Sequence, residues 1–170
     1  MSNTNDRIET LVGDRLRDRD ETVAVAESAT GGLLSSTITD VPGASTYFDR
    51  GYVTYAYRAK LTALGVTRES LDEYGAVSEP VARQMARSIR DRAETTWGVS
   101  VTGIAGPSGG SDEKPVGTMF IGVSYAAPWE TKRSDAWVSR YEFDGDRLDI
   151  KEAAARRALV ELLKRIDALA

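Results

Sequence analysis

The sequence predicts a layered α/β/α domain built on a mixed sheet of roughly five strands. Short β-branched apolar runs alternate with segments whose apolar residues recur at helical spacing. Two of those runs, TVAVA and GVSVTGIAG, are nearly continuous in small and apolar residues, as strands buried on both faces are. Two others, TMFIGVSYA and DAWVSRYEF, are separated by a turn around Pro128 rather than by a helix, so the sheet is expected to be mixed. A length of 170 residues suits one domain over residues 1–170. A chain of that size buries roughly 70% of the surface its unfolded form exposes and needs no covalent staples.

The elements follow in order. Ile8, Leu11, Val12 and Leu16 mark an amphipathic helix. Thr22 to Ala26 reads as a buried strand that runs directly into Glu27-Ser28-Ala29-Thr30-Gly31-Gly32. LLSSTIT then reads as a helix, stopped by Asp40-Val41-Pro42-Gly43. Tyr47 to Tyr57 is expected to be an aromatic-rich strand, with Gly51 placed for a bulge. Short helices are expected over Lys60–Leu64 and, capped by Thr67, over Arg68–Tyr74. Ser78 is expected to cap a longer helix with Glu79 and Pro80 in its first turn and Val81, Met85 and Ile89 on its buried face. Gly98 to Gly106 is a strand ending in a glycine-rich loop that continues to Gly117. After the two strands that follow, an Ala/Leu/Arg helix runs from Arg147 to the end.

Composition narrows the chemistry. There is no cysteine and no histidine, which excludes disulfides, thiolate nucleophiles and the commonest general base. A nucleophilic serine here must work with a lysine, a tyrosine or a carboxylate. A net charge of -4, with 26 acidic against 22 basic residues, argues against a nucleic-acid coat protein. The N-terminal twenty residues lack the apolar core of a secretory signal, and no apolar run approaches the ~20 residues of a membrane span, so a cytoplasmic location is expected.

Three segments stand apart. A-E-S-A-T-G-G (26–32) places Ser28 at the end of a buried strand, just before Gly-Gly and a helix. That is the logic of a strand-to-helix nucleophile turn without its G-x-S-x-G spacing. Helix N-terminal N–H groups beyond it can stabilise an oxyanion or hold a phosphate, while Ser28 or Thr30 as a simple helix cap is the plainer alternative. In Y-V-T-Y-A-Y-R-A-K (52–60), Lys60 is either a solvated surface lysine or a base. As a base its pKa must fall by about three units from ~10.4, a cost of roughly 4 kcal/mol that burial or a nearby cation such as Arg58 can supply. Tyr55 and Tyr57 either hydrogen-bond such a pair or pack on one strand face with Val53. V-T-G-I-A-G-P-S-G-G-S-D-E-K-P-V-G-T (101–118) follows a strand, where α/β sheets place ligands, yet matches neither phosphate-loop nor dinucleotide spacing.

Taken together, A-E-S-A-T-G-G, D-V-P-G-A-S, G-Y-V-T-Y with A-K, L-G-V, G-A-V-S-E-P-V, T-G-I-A-G-P-S-G-G, K-P-V-G-T and F-D-G-D-R occur in one order. The set resembles the CinA C-terminal domain family, which comprises the nicotinamide mononucleotide (NMN) amidohydrolases. The resemblance spans about residues 8–163. It implies a stand-alone deamidase of pyridine-nucleotide salvage, converting NMN and water to nicotinic acid mononucleotide and ammonia. It implies Ser28 as nucleophile, Lys60 as base and Tyr55 as an assisting residue. Thr30, Gly31, Gly32, Thr102, Gly103 and Ala105 would line the substrate site, and Arg147 would take the substrate phosphate.

No cofactor and no metal is implied, nor a nucleic-acid or membrane partner, and assembly into a homo-oligomer is expected. In the chemistry implied, Ser28 attacks the carboxamide carbon as neutral Lys60 takes its proton, and N–H groups of Ala29 to Gly31 or of the Gly103 loop hold the oxyanion. Two positions depart from the family pattern: Ala29 stands where many relatives carry cysteine, and Tyr57 where many carry asparagine. The competing reading is a nucleotide-binding or regulatory module of the same fold without turnover. A nucleic-acid-associated role finds no basic face in the sequence.

Overall fold

A computed structural model describes residues 7–169; the start of the polar N-terminal stretch, residues 1–6, lies outside it. Among the described residues eleven regular elements and one 3-10 turn (Ala44–Thr46) follow each other: α1 (Ile8–Asp18), β1 (Val23–Glu27), α2 (Leu33–Thr39), β2 (Phe48–Val53), α3 (Tyr57–Leu64), α4 (Arg68–Tyr74), α5 (Glu79–Ala93), β3 (Trp97–Gly103), β4 (Thr118–Tyr125), β5 (Asp135–Glu142) and α6 (Arg147–Ala168). The five strands form one mixed sheet in the order β2-β1-β3-β4-β5. β1 runs parallel to both β2 and β3, and β4 and β5 add as antiparallel neighbours. The architecture is the layered α/β/α domain with a mixed five-stranded sheet that the strand and helix pattern predicts.

Strand alternation sorts the core into two layers. Val23, Val25, Trp97, Val99, Val101, Met119, Ile121 and Val123 turn to one face and pack with α1, α2 and α6. Ala24 and Ala26 turn to the other, against Leu64, Leu71, Val81, Met85 and Ile89 of α3, α4 and α5. β1, between two parallel neighbours, is buried at all five positions, which is why its sequence shows no polar alternation. Among the described residues no helix is long and apolar enough to cross a membrane.

Three local expectations change. β2 stops at Val53 instead of reaching Tyr57, because Ala56 already accepts the first helical bond of α3 from Lys60. Tyr55 and Tyr57 therefore do not share a strand face with Val53; Tyr57 opens α3. Ser78 precedes α5, but its hydroxyl donates back to Gly75 O at 2.8 Å and caps nothing. Thr67 does cap α4, accepting from Ser70 N–H at 3.2 Å.

Candidate active site

The site begins where the parallel strands end. β1 leads through α2 to β2 on one side, and the chain then crosses by α3, α4 and α5 to β3 on the other. The direction of winding reverses beside the C-terminal end of β1, the place where open α/β sheets form a crevice. Ser28 stands there, tied to β3 by its own N–H, which donates to Val101 O at 2.9 Å. Thr54, the first residue beyond β2, is tied to the Glu27 carbonyl at 2.7 Å. Strand pairing thus holds the ends of β1 and β2 in register, and α3 leaves from the second of them.

Lys60, one turn into α3, is brought back over this edge. Its side chain is fully buried, and Nζ lies 2.9 Å from Ser28 Oγ, 2.7 Å from Thr54 O and 3.2 Å from Tyr55 O. Burial lowers its pKa from 10.5 to about 8 and is the whole cause. Arg58, the nearby cation entertained from sequence, is exposed. The three contacts suit either protonation state. The ammonium donates to all three oxygens. The neutral amine donates its two hydrogens to the carbonyls and keeps its lone pair for the Ser28 hydroxyl.

The other residues singled out in the sequence fall into separate groups. Tyr55 lends Lys60 its backbone carbonyl, while its exposed phenol accepts from Arg147 Nη2 at 3.0 Å and touches neither Ser28 nor Lys60 by a hydrogen bond. Arg147, first residue of α6, also donates to Gly106 O, so its guanidinium joins the end of β2 to the loop after β3. Thr102 Oγ1 donates to Ala76 O at 2.8 Å, and Ala76 N–H donates to Tyr57 Oη at 3.2 Å. Thr102 and Tyr57 hold the loop before α5 between them. Gly103 lies so close to β4 that a Cβ would meet Thr118 O at 2.4 Å, and Ala105 is buried. Thr30, Gly31 and Gly32 line a cavity of about 760 Å³, with Lys151 and Arg156 on its other wall; neither Ser28 nor Lys60 lines it.

Glu27, last residue of β1, is the residue whose importance the sequence did not reveal. Its side chain is fully buried and accepts five hydrogen bonds. Oε1 accepts from Thr30 Oγ1, Gly32 N–H and Leu34 N–H, and Oε2 from Ser35 N–H and Ser35 Oγ. The N-terminus of α2 is therefore already filled by an anion belonging to the chain, and the N–H groups of Gly32, Leu34 and Ser35 are not free for a substrate phosphate or oxyanion. Gly31 N–H is likewise spent on Ser28 O at 3.0 Å. A carboxylate ending an otherwise apolar strand, VAVAE, was the available signal. Among the described residues no group of three or more His, Cys, Asp or Glu is placed to hold a metal ion.

Comparison with known proteins agrees with the fold and the motif order. The pattern of the family described as CinA C-terminal domain matches residues 5–166. A CinA-like protein of Gloeothece citriformis is 44% identical over 161 residues, covering 95% of this chain and 38% of that protein. A CinA-like protein of Chlorobaculum tepidum is 48% identical over 159 residues, covering 91% of this chain and 37% of that protein. The chain thus spans less than two fifths of these relatives' length. Among solved structures, the competence/damage inducible protein CihA from Agrobacterium tumefaciens superposes with a TM-score of 0.84 at 37% identity, covering 98% of this chain and 99% of that one. A CinA superfamily protein from Escherichia coli superposes with a TM-score of 0.85 at 32% identity, covering 97% and 94%. By sequence over nearly its whole length and by fold, the chain belongs to the CinA C-terminal domain family.

Proposed function

We propose that the chain is an amidohydrolase that converts NMN and water to nicotinic acid mononucleotide and ammonia through a Ser28 acyl-enzyme. The observation that carries the reading is the buried Lys60 amine, 2.9 Å from Ser28 Oγ and with a pKa lowered to about 8. A serine hydroxyl is a weak nucleophile until a base takes its proton, and in a chain without histidine this amine is the group in contact with it. Two carbonyls fix the two hydrogens of the neutral amine, which aims its lone pair at the hydroxyl. Ser28 Oγ forms the bond to the carboxamide carbon as its proton passes to Nζ. Lys60 returns that proton to the departing nitrogen, ammonia leaves, and a water deprotonated by the same amine hydrolyses the ester. Arg147, with exposed guanidinium hydrogens beside Tyr55, is the residue assigned to the substrate phosphate.

The test is ammonia release from NMN by the purified protein, with nicotinamide riboside and nicotinamide as controls. Turnover of NMN above both controls is expected. Ser28→Ala should abolish it while NMN binding stays within about tenfold, since the hydroxyl acts mainly in the transition state. Substantial turnover by that variant would remove Ser28 as nucleophile.

A further inference from the structure

We propose that Glu27 is a positioning residue for the Ser28 nucleophile, and that the oxyanion hole consists of the backbone N–H groups of Ala29 and Thr30. The inference rests on Ser28 as nucleophile, as argued above, but not on NMN as the substrate.

An accounting of N–H groups along the turn leads to it. Ser28 donates to Val101 O, Gly31 to Ser28 O, and Leu33 to Thr30 O. Gly32, Leu34 and Ser35 donate to the Glu27 carboxylate. Within residues 28–35 only Ala29 and Thr30, the two residues directly after the nucleophile, have N–H groups that make no hydrogen bond to a described residue. Two adjacent free donors beside an attacking oxygen are what a developing oxyanion needs. The Glu27 carboxylate leaves them free because its acceptor sites are filled by the other donors of the turn, and it clamps both ends of that turn through Thr30 Oγ1 at 2.6 Å and Ser35 Oγ at 2.6 Å. Gly31 and Gly32, both at positive φ, let the chain double back around that one carboxylate.

Glutamine has the same shape but replaces one acceptor oxygen by a donor. Wherever its NH2 is placed, it faces at least one backbone N–H, because both carboxylate oxygens accept from the backbone. The turn must shift, and a shift of about 1 Å at the reacting atoms costs on the order of a hundredfold in rate.

The experiment uses a fluorophosphonate, which reacts with an activated serine whatever the natural substrate. Ser28 Oγ forms the O–P bond, fluoride leaves, the serine proton passes to Lys60, and the phosphoryl oxygen occupies the hole. Labelling rate and final stoichiometry are read by intact mass for wild type, Ser28→Ala, Glu27→Gln and Ser35→Ala, beside kcat and KM for ammonia release.

Glu27→Gln is expected to label about a hundredfold more slowly yet still reach one label per chain, with kcat reduced alike and KM within about threefold. Ser35→Ala, which removes one clamp and keeps the N–H, should slow labelling about fivefold, and it carries the test if Glu27→Gln fails to fold. A folding defect alone would lower the stoichiometry and leave the rate of the folded fraction unchanged; that result, or labelling at the wild-type rate, overturns the proposal. A wild type that labels at Ser28 but leaves NMN intact overturns only the substrate assignment. A wild type that does neither overturns both.

Discussion

At the scale of the residue, the lysine–serine contact is decided by protonation. Lys60 in its ammonium form holds the Ser28 oxygen without activating it; the neutral amine can remove the proton. With a folded pKa of about 8, the rate should rise as pH increases through about 8 and level off above it. Lys60→Arg keeps the charge but releases no proton in this range, so kcat should fall at least about a hundredfold across the whole profile. Measured kcat and KM against pH for both proteins separate the roles, because an electrostatic anchor would survive as arginine with a changed KM. An active arginine variant with the wild-type profile would move the base away from Lys60. The sequence singled out both partners, but it also offered a solvated lysine and a plain helix cap. Only the return of α3 over the β1 edge chose between contact and separation.

At the scale of the element, the approach of α5 to the sheet depends on four small residues in a checkerboard. Gly98 pairs with Ser124 and Ser100 with Gly122 across β3 and β4. The serines donate to Ala86 O and Ala82 O of α5 at 2.8 and 2.7 Å, and the glycines leave room for those same carbonyls. A Cβ on Gly98 would stand 2.2 Å from Ala86 O, and one on Gly122 2.8 Å from Ala82 O. Backbone cannot swing aside as a side-chain tip can, so Gly98→Ala should cost about 2 kcal/mol or more in chemical denaturation. Gly98 lies at the end of β3 away from Thr102, so turnover per folded molecule should stay within about twofold. An unchanged denaturation midpoint would mean that α5 is free to slide. Periodicity located α5 and its buried Val81, Met85 and Ile89 from sequence alone. The small residues of β3 and β4 showed no comparable signal, because a gap matched to a helix carbonyl is a property of two elements together.

At the scale of the whole molecule, a buried amine couples stability to pH. The Lys60 pKa is lowered on folding, so the sign is the reverse of a paired lysine. Below about pH 8 both folded and unfolded chains carry the charge and the burial cost is complete. Between about 8 and 10.5 the unfolded chain binds the additional proton, and the stability of the wild type rises with pH. Lys60→Met fills the same space without titrating. Whatever the lost bonds to Thr54 O and Tyr55 O cost, wild type should gain on this variant by about 2–3 kcal/mol between pH 7 and 10. Denaturant unfolding at the two pH values measures it. A difference that does not move with pH would show Lys60 to be as hydrated as a surface lysine.

Taken alone, the sequence determined the layers, the strand that carries Ser28, the helices that turn apolar faces inward, and the need for a base other than histidine. These are properties of composition and of periods of two or 3.6 residues, which any short window displays. Where β2 ends, what fills the N-terminus of α2 and which phenol reaches which partner were decided by tertiary structure. Tyr55, expected to assist the serine–lysine pair, meets Lys60 with its carbonyl and Arg147 with its hydroxyl. Glu27 stood inside a motif already singled out, and its role appeared only once the turn had folded back on it. A hydrogen bond between residues 32 or 92 positions apart in sequence has no local signature. It exists because sheet pairing and helix packing bring two chain segments to the same edge, and that closure is a property of the fold as a whole.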